Sequence, residues 1–329
     1  MVQSKFLAFE DAIAKTGNGF IQIPMFEKEI LNMVGKRGAM LQRIGTRKAT
    51  GNPTRYFEKR AAKQTAAFQD PHALKAAKYS VTRVDKAAFV KAITNEIEFS
   101  HFDREVANQQ GVYNGLTMED IQDMVKDLLM LQDEKLWTGN DTSLSESTTN
   151  EYVGLLTQIT QTGTIAADTK ITDAIRTEVA RLSNKKDYDV KPSAIVVNPL
   201  TYDLIEQEEQ ARGNTVKNYE VEVVAGLKVR GVMTAMGILP IIPDPYLPVT
   251  EKTTGEGAAA KTTVEHKVAI LSENLLTRYY VGSDKPRIFG FGIQDESLNE
   301  KYMALQYDCI VAKGADYAHT ILTKTVDKA

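Results

Sequence analysis

The feature that most limits what this chain can become is an uninterrupted amphipathic run between Thr117 and Thr138. Met118, Ile121, Met124, Val125, Leu128, Leu129, Leu131 and Leu136 recur there at near-helical spacing. Thr117 predicts an N-cap with Asp120 three residues on, and Gly139 a C-terminal stop. Glu119, Asp120, Asp123 and Asp127 crowd the N-terminal half, where the helix dipole favours them. At 1.5 Å per residue, a run of about 22 residues makes a helix about 33 Å long, enough to cross a whole lobe. Ahead of it, Tyr79 to Ser100 reads as extended chain. Ile93, Asn95, Ile97 and Phe99 point one way, and Thr94, Glu96, Glu98 and Ser100 the other. Joined through the Asn114-Gly115 turn, strand and helix describe scaffolding rather than a pocket.

A basic segment precedes this scaffold. Residues 1–78 carry 14 Lys+Arg against 6 Asp+Glu, and the rest of the chain 26 against 37, for a net charge of -3. A basic front on an acidic body points to nucleic acid or an acidic protein surface as partner. Pro24 to Val34 predicts a short helix (Phe26, Ile30, Leu31, Val34), followed by breaks at Gly35 and Gly38. From Arg47 to Lys78 the large apolar residues thin to Tyr56, Phe57, Phe68 and Leu74, with turn signals at Gly51-Asn52-Pro53 and Asp70-Pro71. Thr54 to Lys59 predicts a strand pairing with Tyr79 to Val84 as a long hairpin, and Arg60–Ala67 and Ala73–Lys78 short helical turns. So little apolar surface cannot offset the entropy of ordering the segment. A loop of this length is functional or ordered by a neighbour. We therefore expect an arm laid on another subunit, with Arg47, Arg55, Lys59, Arg60, Lys63, Lys75 and Lys78 as contact residues.

Residues 157–281 predict a separate α/β lobe. Ile171, Ile175, Val179 and Leu182 mark an amphipathic helix, and Ala194 to Val197 a strand. Asn198-Pro199 then supplies an N-cap with proline at the first helical position, opening a helix through Leu200, Leu204 and Ile205. Strands are expected at Leu227–Val232, Ile238–Ile242 and Val268–Leu271, with Thr250 to Thr263 a mobile surface loop. Arg287–Ile293, Tyr302–Ala312 and Tyr317–Thr323 are strand-like.

The sequence offers no catalytic set. It has no phosphate-binding glycine loop and no Gly-x-Ser-x-Gly elbow. His72, His101, His266 and His319 are scattered singly, without zinc-ligand spacing. His101 to Glu105 gathers a base, acids and a cation without a nucleophile, and reads as a salt-bridged surface turn. Asp120, Asp123 and Asp127 share a helix face, and a solvated face is the expectation. Gly290 and Gly292 among Phe289 and Phe291 suggest a strand packed closely on something. The single cysteine, Cys309, excludes an internal disulfide framework and is expected to be a small buried hydrophobe, consistent with a reducing origin. No apolar run approaches the roughly 20 residues of a membrane span, and the charged start does not resemble a secretory signal. A soluble, intracellular product is expected, with no catalytic, cofactor or metal site. Composition, 43% hydrophobic and 25% charged, fits a folded protein.

The order of parts is what carries a resemblance. Arm, basic hairpin-like loop, long strand, long helix ending in Trp137-Thr138-Gly139-Asn140-Asp141, then Tyr152-Val153-Gly154-Leu155-Leu156 opening an α/β lobe: this resembles the major capsid protein of tailed bacteriophages, the Hong Kong 97 fold. Leu136–Asp141 followed by Gly154-Leu155 is similar to the family's aromatic-x-Gly-Asn/Asp … Gly-Leu/Ile passage. Ala269–Leu271 to Tyr279–Gly282, and Tyr307 to Leu322, resemble its C-terminal strands. The resemblance implies an α+β fold with an N-terminal arm (1–46), an extended loop (47–84), a peripheral domain (85–156 and 282–306, spine helix 117–138) and an axial domain (157–281 and 307–329). It implies self-assembly in hexamers and pentamers into an icosahedral shell around double-stranded DNA bound without sequence specificity. Scaffold, portal and decoration proteins would be partners, the host cytoplasm the place of assembly, the virion the destination, and no membrane would be involved. No long helical leader precedes the arm, so a fused scaffolding segment is not expected, and a separate scaffold or prior cleavage both stay open. Cross-linking, known in some members, would draw on Lys59 or Lys63, which lie in the corresponding loop. Two alternatives stay open, an encapsulin-like nanocompartment shell and a two-lobed cytosolic enzyme.

Overall fold

The computed structural model of the chain describes residues 37–59, 66, 68–72, 83–110, 113–211, 219–224, 227–254, 261–293 and 298–327. In chain order the elements begin with β1 (Gly45–Lys48), β2 (Thr54–Lys59), β3 (Arg83–Ala88), β4 (Lys91–Ser100), α1 (His101–Gln110) and α2 (Tyr113–Thr138). There follow α3 (Leu155–Gln158), β5 (Thr162–Ile165), α4 (Ile171–Ser183), β6 (Ala194–Val197), α5 (Pro199–Gln210), β7 (Tyr219–Val224), β8 (Leu227–Thr234) and β9 (Gly237–Pro243). The last are β10 (Thr250–Thr254), β11 (Lys261–Leu271), β12 (Leu276–Tyr280), β13 (Arg287–Ile293), β14 (Asn299–Ala312) and β15 (Thr320–Asp327). Among the described residues they form two compact units.

The larger unit comprises Lys36–Thr94, Asp127–Arg287 and Leu305–Ala329. Its main sheet has the order β5-β15-β11-β6-β9-β8-β7, with β10 antiparallel to β11. The four residues of β6 are buried on both sides, as an all-apolar Ala-Ile-Val-Val run requires. Ile171, Ile175, Val179 and Leu182 of α4 are fully buried against Ile195, Val197, Val268 and Ile270. Burying such side chains contributes about 1.5–3 kcal/mol each. The Asn198 side chain accepts from the Leu200 N–H at 3.0 Å, capping α5 with Pro199 at its first turn. A second core gathers Met40, Leu41, Ile44, Leu136, Trp137, Leu155, Leu247 and Leu276.

The second sheet runs β1-β12-β14-β13, with β4 also on β14, and β1 is parallel to β12. The smaller unit comprises, among described residues, Asn95–Lys126 and Ile288–Ala304. In it Phe99 meets Tyr302 edge-on at 5.9 Å, and Gly290 presses on the Tyr302 ring, where a Cβ would come within 3.2 Å. Close packing thereby accounts for Gly290 but not for Gly292, where nothing lies within 4 Å of an added Cβ and the φ of +67° is what favours glycine.

Several expectations are corrected. The long helix opens at Tyr113, so Thr117 lies inside it rather than at its start; Leu131, expected on its apolar face, is exposed. His101 to Glu105 is the start of α1, with His101 Nε2 4.0 Å from Glu105, one helical turn on. Tyr317 is in a turn and the final strand starts at Thr320. The hairpin partner of β2 is residues 83–88, with Thr54 opposite Ala88 and Lys59 opposite Arg83. Two parts of the segment expected as a loop at Thr250 to Thr263 are strand: Thr250–Thr254 pairs with 261–265, tied by Lys252–Glu265 at 2.6 Å and Thr253–Thr262 at 3.1 Å, while 255–260 lie outside the described residues. Threonines suit a strand even where nothing covers them. Residues 37–46, expected at the end of the arm, contribute Met40, Leu41 and Ile44 to the core. The helix expected at Pro24–Val34 and the turns expected at Arg60–Ala67 and Ala73–Lys78 fall outside the described residues, apart from single loop positions such as Ala66.

Candidate assembly surfaces

The base of the basic loop is fixed by its inward face. Thr54, Tyr56 and Glu58 alternate with exposed Arg55, Phe57 and Lys59 along β2. Tyr56 stacks on Tyr279 (centroids 6.4 Å apart, 22° between planes), and Lys313 Nζ lies 5.6 and 5.5 Å from the two ring centroids. The Glu58 carboxylate accepts from the Gly314 N–H at 3.1 Å and pairs with Lys86 Nζ at 2.6 Å. The outward face is cation, aromatic, cation: Arg55 is 72% exposed, Phe57 70%, with Lys59 beyond. Arg55 pairs with Asp85 at 3.1 Å. Arg47 sits exposed in β1, opposite Tyr279 in the ladder. The structure thus brings Arg55 and Lys59 onto one face; Arg60, Lys63, Lys75 and Lys78 lie outside the described residues.

Behind this face, α2 ends at a junction that accounts for the glycines of the Trp137–Leu155 passage. Asn140 bridges Val153, so two backbones cross at contact. A Cβ on Gly139 would fall 2.3 Å from the Tyr152 carbonyl, and one on Gly154 2.4 Å from that of Trp137. Next to the crossing, Lys91 Nζ donates to Asp141 Oδ2 (2.6 Å), to Ser147 Oγ (2.7 Å) and to the Thr149 carbonyl. Thr148 Oγ1 and the Thr142 N–H donate to Asp141 Oδ1 at 2.6 and 2.8 Å. Burial alone would raise the Asp141 carboxyl, but these donors and the Lys91 charge hold it well below the usual carboxylate range. Gln158 closes the junction, donating to the Val153 and Ile310 carbonyls (2.6 and 3.0 Å) and accepting from the Ala312 N–H (2.9 Å).

A second buried carboxylate joins the helix to the sheet. Tyr152 Oη donates to Asp308 Oδ1, Gln132 Nε2 donates to Asp308 Oδ2 at 2.9 Å, and Arg278 Nε stands 3.8 Å from the same oxygen. Burial pushes the Asp308 carboxyl up to about 6, with the tyrosine, arginine and glutamine pulling the other way. Cys309 is buried, as expected, its thiol pushed up to about 12 by burial and then by Asp308. His319 Nδ1 accepts from the Ser272 N–H (3.3 Å), so Nε2 carries the proton toward the Lys313 carbonyl (3.1 Å). Burial brings its pKa down to about 4.

None of this is a catalytic constellation. A groove of about 620 Å³, lined by Arg55, Tyr56, Lys86, Ser143, Thr157 and Asp316 among others, holds no convergent nucleophile and base. Among the described residues no cluster of three or more His, Cys, Asp or Glu could hold a metal, and no helix is long and apolar enough to cross a membrane.

Residues 11–289 match the model of the SU10 major capsid protein family. The chain belongs to that family. It is a major capsid protein, a structural component of the virion that assembles with its own copies. No curated protein matches the sequence. Among solved structures, the capsid of the native GTA particle shares 13% identity at a TM-score of 0.61, covering 95% of this chain and 98% of that one. The head of Helicobacter pylori bacteriophage KHP40 shares 10% at 0.61, covering 95% and 96%. The holo-SrpI encapsulin complex of Synechococcus elongatus shares 13% at 0.55, covering 95% and 94%. At these identities the structures establish the fold, that of Hong Kong 97-like capsids. The encapsulin match says no more than that.

Sequence reasoning missed the Lys91–Asp141 and Asp308 networks. Their partners stand far apart in the chain, and the only local signal was an acid beside an apolar run, Asp308 ahead of Cys309 to Ala312. It also missed β1, β7 and the burial of Met40, Leu41 and Ile44.

Proposed function

We propose that this major capsid protein builds a closed icosahedral head shell, in hexamers and pentamers, around double-stranded DNA held without sequence-specific contacts. Scaffold, portal and decoration proteins act with it, and assembly takes place in the host cytoplasm. The observation that carries this reading is the family match taken together with a β2–β3 hairpin whose inner face is anchored and whose outer face, Arg55, Phe57 and Lys59, is left bare. Arg47, Arg55, Lys59, Arg60, Lys63, Lys75 and Lys78 contact a neighbouring copy, where charge fixes register more than affinity. Purified protein, coexpressed with its neighbouring assembly genes, is expected to give closed shells by electron microscopy, with nucleic acid rather than a cargo enzyme in filled particles. Only small soluble species under those conditions would refute the reading.

A further inference from the structure

Buried polar groups gather where α2 meets the β12–β14 face, and their hydrogen bonds do not all close. Gln132 of α2, Gln306 of β14 and Arg278 of β12 are buried, yet Gln132 Oε1, Gln306 Oε1 and Arg278 Nε have no hydrogen-bond partner among the described residues. Buried polar atoms left so are rare in folded proteins and call for an explanation. The three share one small region. Gln306 stands two positions from Asp308 on β14, hence on the same face of the sheet. Arg278 lies opposite Ile310 in the ladder, on that face too, and reaches along it. Its Nε is 3.8 Å from Asp308 Oδ2, and its Nη2 donates to the Asp284 carbonyl at 2.5 Å. Gln306 Nε2 donates to the neighbouring Ser283 carbonyl at 3.1 Å, and Gln132 Nε2 to Asp308 Oδ2 at 2.9 Å.

Turning the amides round does not close these bonds. Gln132 Nε2 is held by Asp308 and lies 3.3 Å from Tyr152 Oη, whose own proton goes to Asp308 Oδ1, while Gln306 Nε2 is held by a carbonyl. A flip would set oxygen against oxygen at both places. At 3.8 Å Arg278 Nε is too far from the carboxylate for a direct hydrogen bond, a separation at which a bridging molecule is expected. One unsatisfied donor and two unsatisfied acceptors remain. The molecule that closes them must accept once, donate twice and carry no net charge. A cation would face the Arg278 guanidinium, and an anion the Asp308 carboxylate and two amide oxygens. We propose that Gln132, Arg278 and Gln306 form a binding site for one structural water, which accepts from Arg278 Nε and donates to the two glutamine oxygens. Three partners are the usual complement of a buried water. The water straps α2 to both strands of the sheet, beside the direct bond from Gln132 to Asp308.

A structure of the full chain at a resolution that shows ordered solvent tests the site. A peak with the scattering of oxygen is expected within about 3 Å of Gln132 Oε1, Arg278 Nε and Gln306 Oε1 together. Oxygen-17 relaxation dispersion of the unassembled subunit counts long-lived waters without a crystal. Run on wild type and on Gln306→Met, it is expected to show one fewer in the variant, because the substitution removes an acceptor while keeping the length of the side chain. Arg278 Nε bonded directly to Asp308 or to either glutamine oxygen, with no peak among them, overturns the proposal. So does a peak that scatters anomalously or leaves on dialysis against a chelator, the mark of a metal ion. A Gln306→Met chain holding as many long-lived waters as wild type overturns it too. If Gln306→Met does not fold, the wild-type density alone decides: a peak on all three atoms sustains the site, and a dry joint ends it.

Discussion

Asp308 and His319 set opposite pH dependences inside one core, and removing either should expose the other. Asp308 titrates at about 6 in the fold against 3.8 without it, a raised carboxylate. Its neutral form is the one the fold prefers, so its contribution is fully present below pH 3.8 and is lost as pH rises through about 6. The gap of about 2 units corresponds to about 3 kcal/mol. His319 behaves in reverse. Its pKa falls from 6.5 to about 4, because burial penalises the charged ring, the hydrogen bond to the Lys313 carbonyl pulling only weakly the other way. The stability it gives is complete above 6.5 and is lost as pH falls through about 4, again about 3 kcal/mol. In the wild type the two slopes largely cancel between pH 4 and 6.5. We expect Asp308→Asn to gain about 3 kcal/mol relative to wild type on going from pH 4 to 7, and His319→Gln to lose about as much relative to wild type over the same interval. Urea denaturation of the unassembled subunit at half-unit pH steps measures both differences. Variant and wild-type curves that run parallel through this window would show that burial does not shift these groups, and the reasoning would fail.

Gly154→Ala, whose Cβ has no room beside the Trp137 carbonyl, should cost about 3 kcal/mol or more in urea denaturation, whereas Gly51→Ala, with its nearest contact at 3.7 Å, should cost little. Lys91→Met leaves the Asp141 carboxylate buried and unpaired and should cost about 3–5 kcal/mol, part of it recovered by adding Asp141→Asn. A short tag placed between Thr254 and Lys261 should be tolerated and accessible to antibody in finished shells. The same tag after Thr263, inside the paired strand, should prevent folding, which solubility and circular dichroism would report.

What could be read from the residues was whatever local periodicity controls. Helix α4, the Asn198-Pro199 cap and the alternation of β4 depend on neighbours a few positions away, and each stands where the pattern put it. The failures share a different cause. Met40, Leu41 and Ile44 are buried because their backbone is claimed from afar: the Gly38 N–H donates to Asp133 at 2.9 Å and the Met40 N–H to Asp244 at 3.2 Å. Arg43 pairs with Glu273 for the same reason. Nothing between residues 37 and 48 announces carboxylates that lie some hundred or two hundred positions away. Thr117 misled because a good capping residue is also tolerated inside a helix that begins earlier in the chain. Thr250–Thr254 misled because a composition poor in large apolar groups says that a segment is uncovered, not that it is unpaired. At the candidate assembly surface, the alternation of Arg55, Phe57 and Lys59 was visible in the sequence, but which side faced outward was decided by Tyr279 and Gly314, more than two hundred residues on.

The order of strands in the large sheet has a consequence for synthesis. Strand β15 lies between β5 and β11, and β1 takes its place only alongside β12. A chain still on the ribosome, or one broken off before residue 320, lacks the strand that β5 must pair with and leaves an edge of β11 open. Such a chain cannot present a finished body to a growing shell, however early its basic hairpin has emerged. The threading of the sheet thus ties completion of the body to the last strand made, and a fragment ending before residue 320 is expected to lack the folded unit that assembly needs.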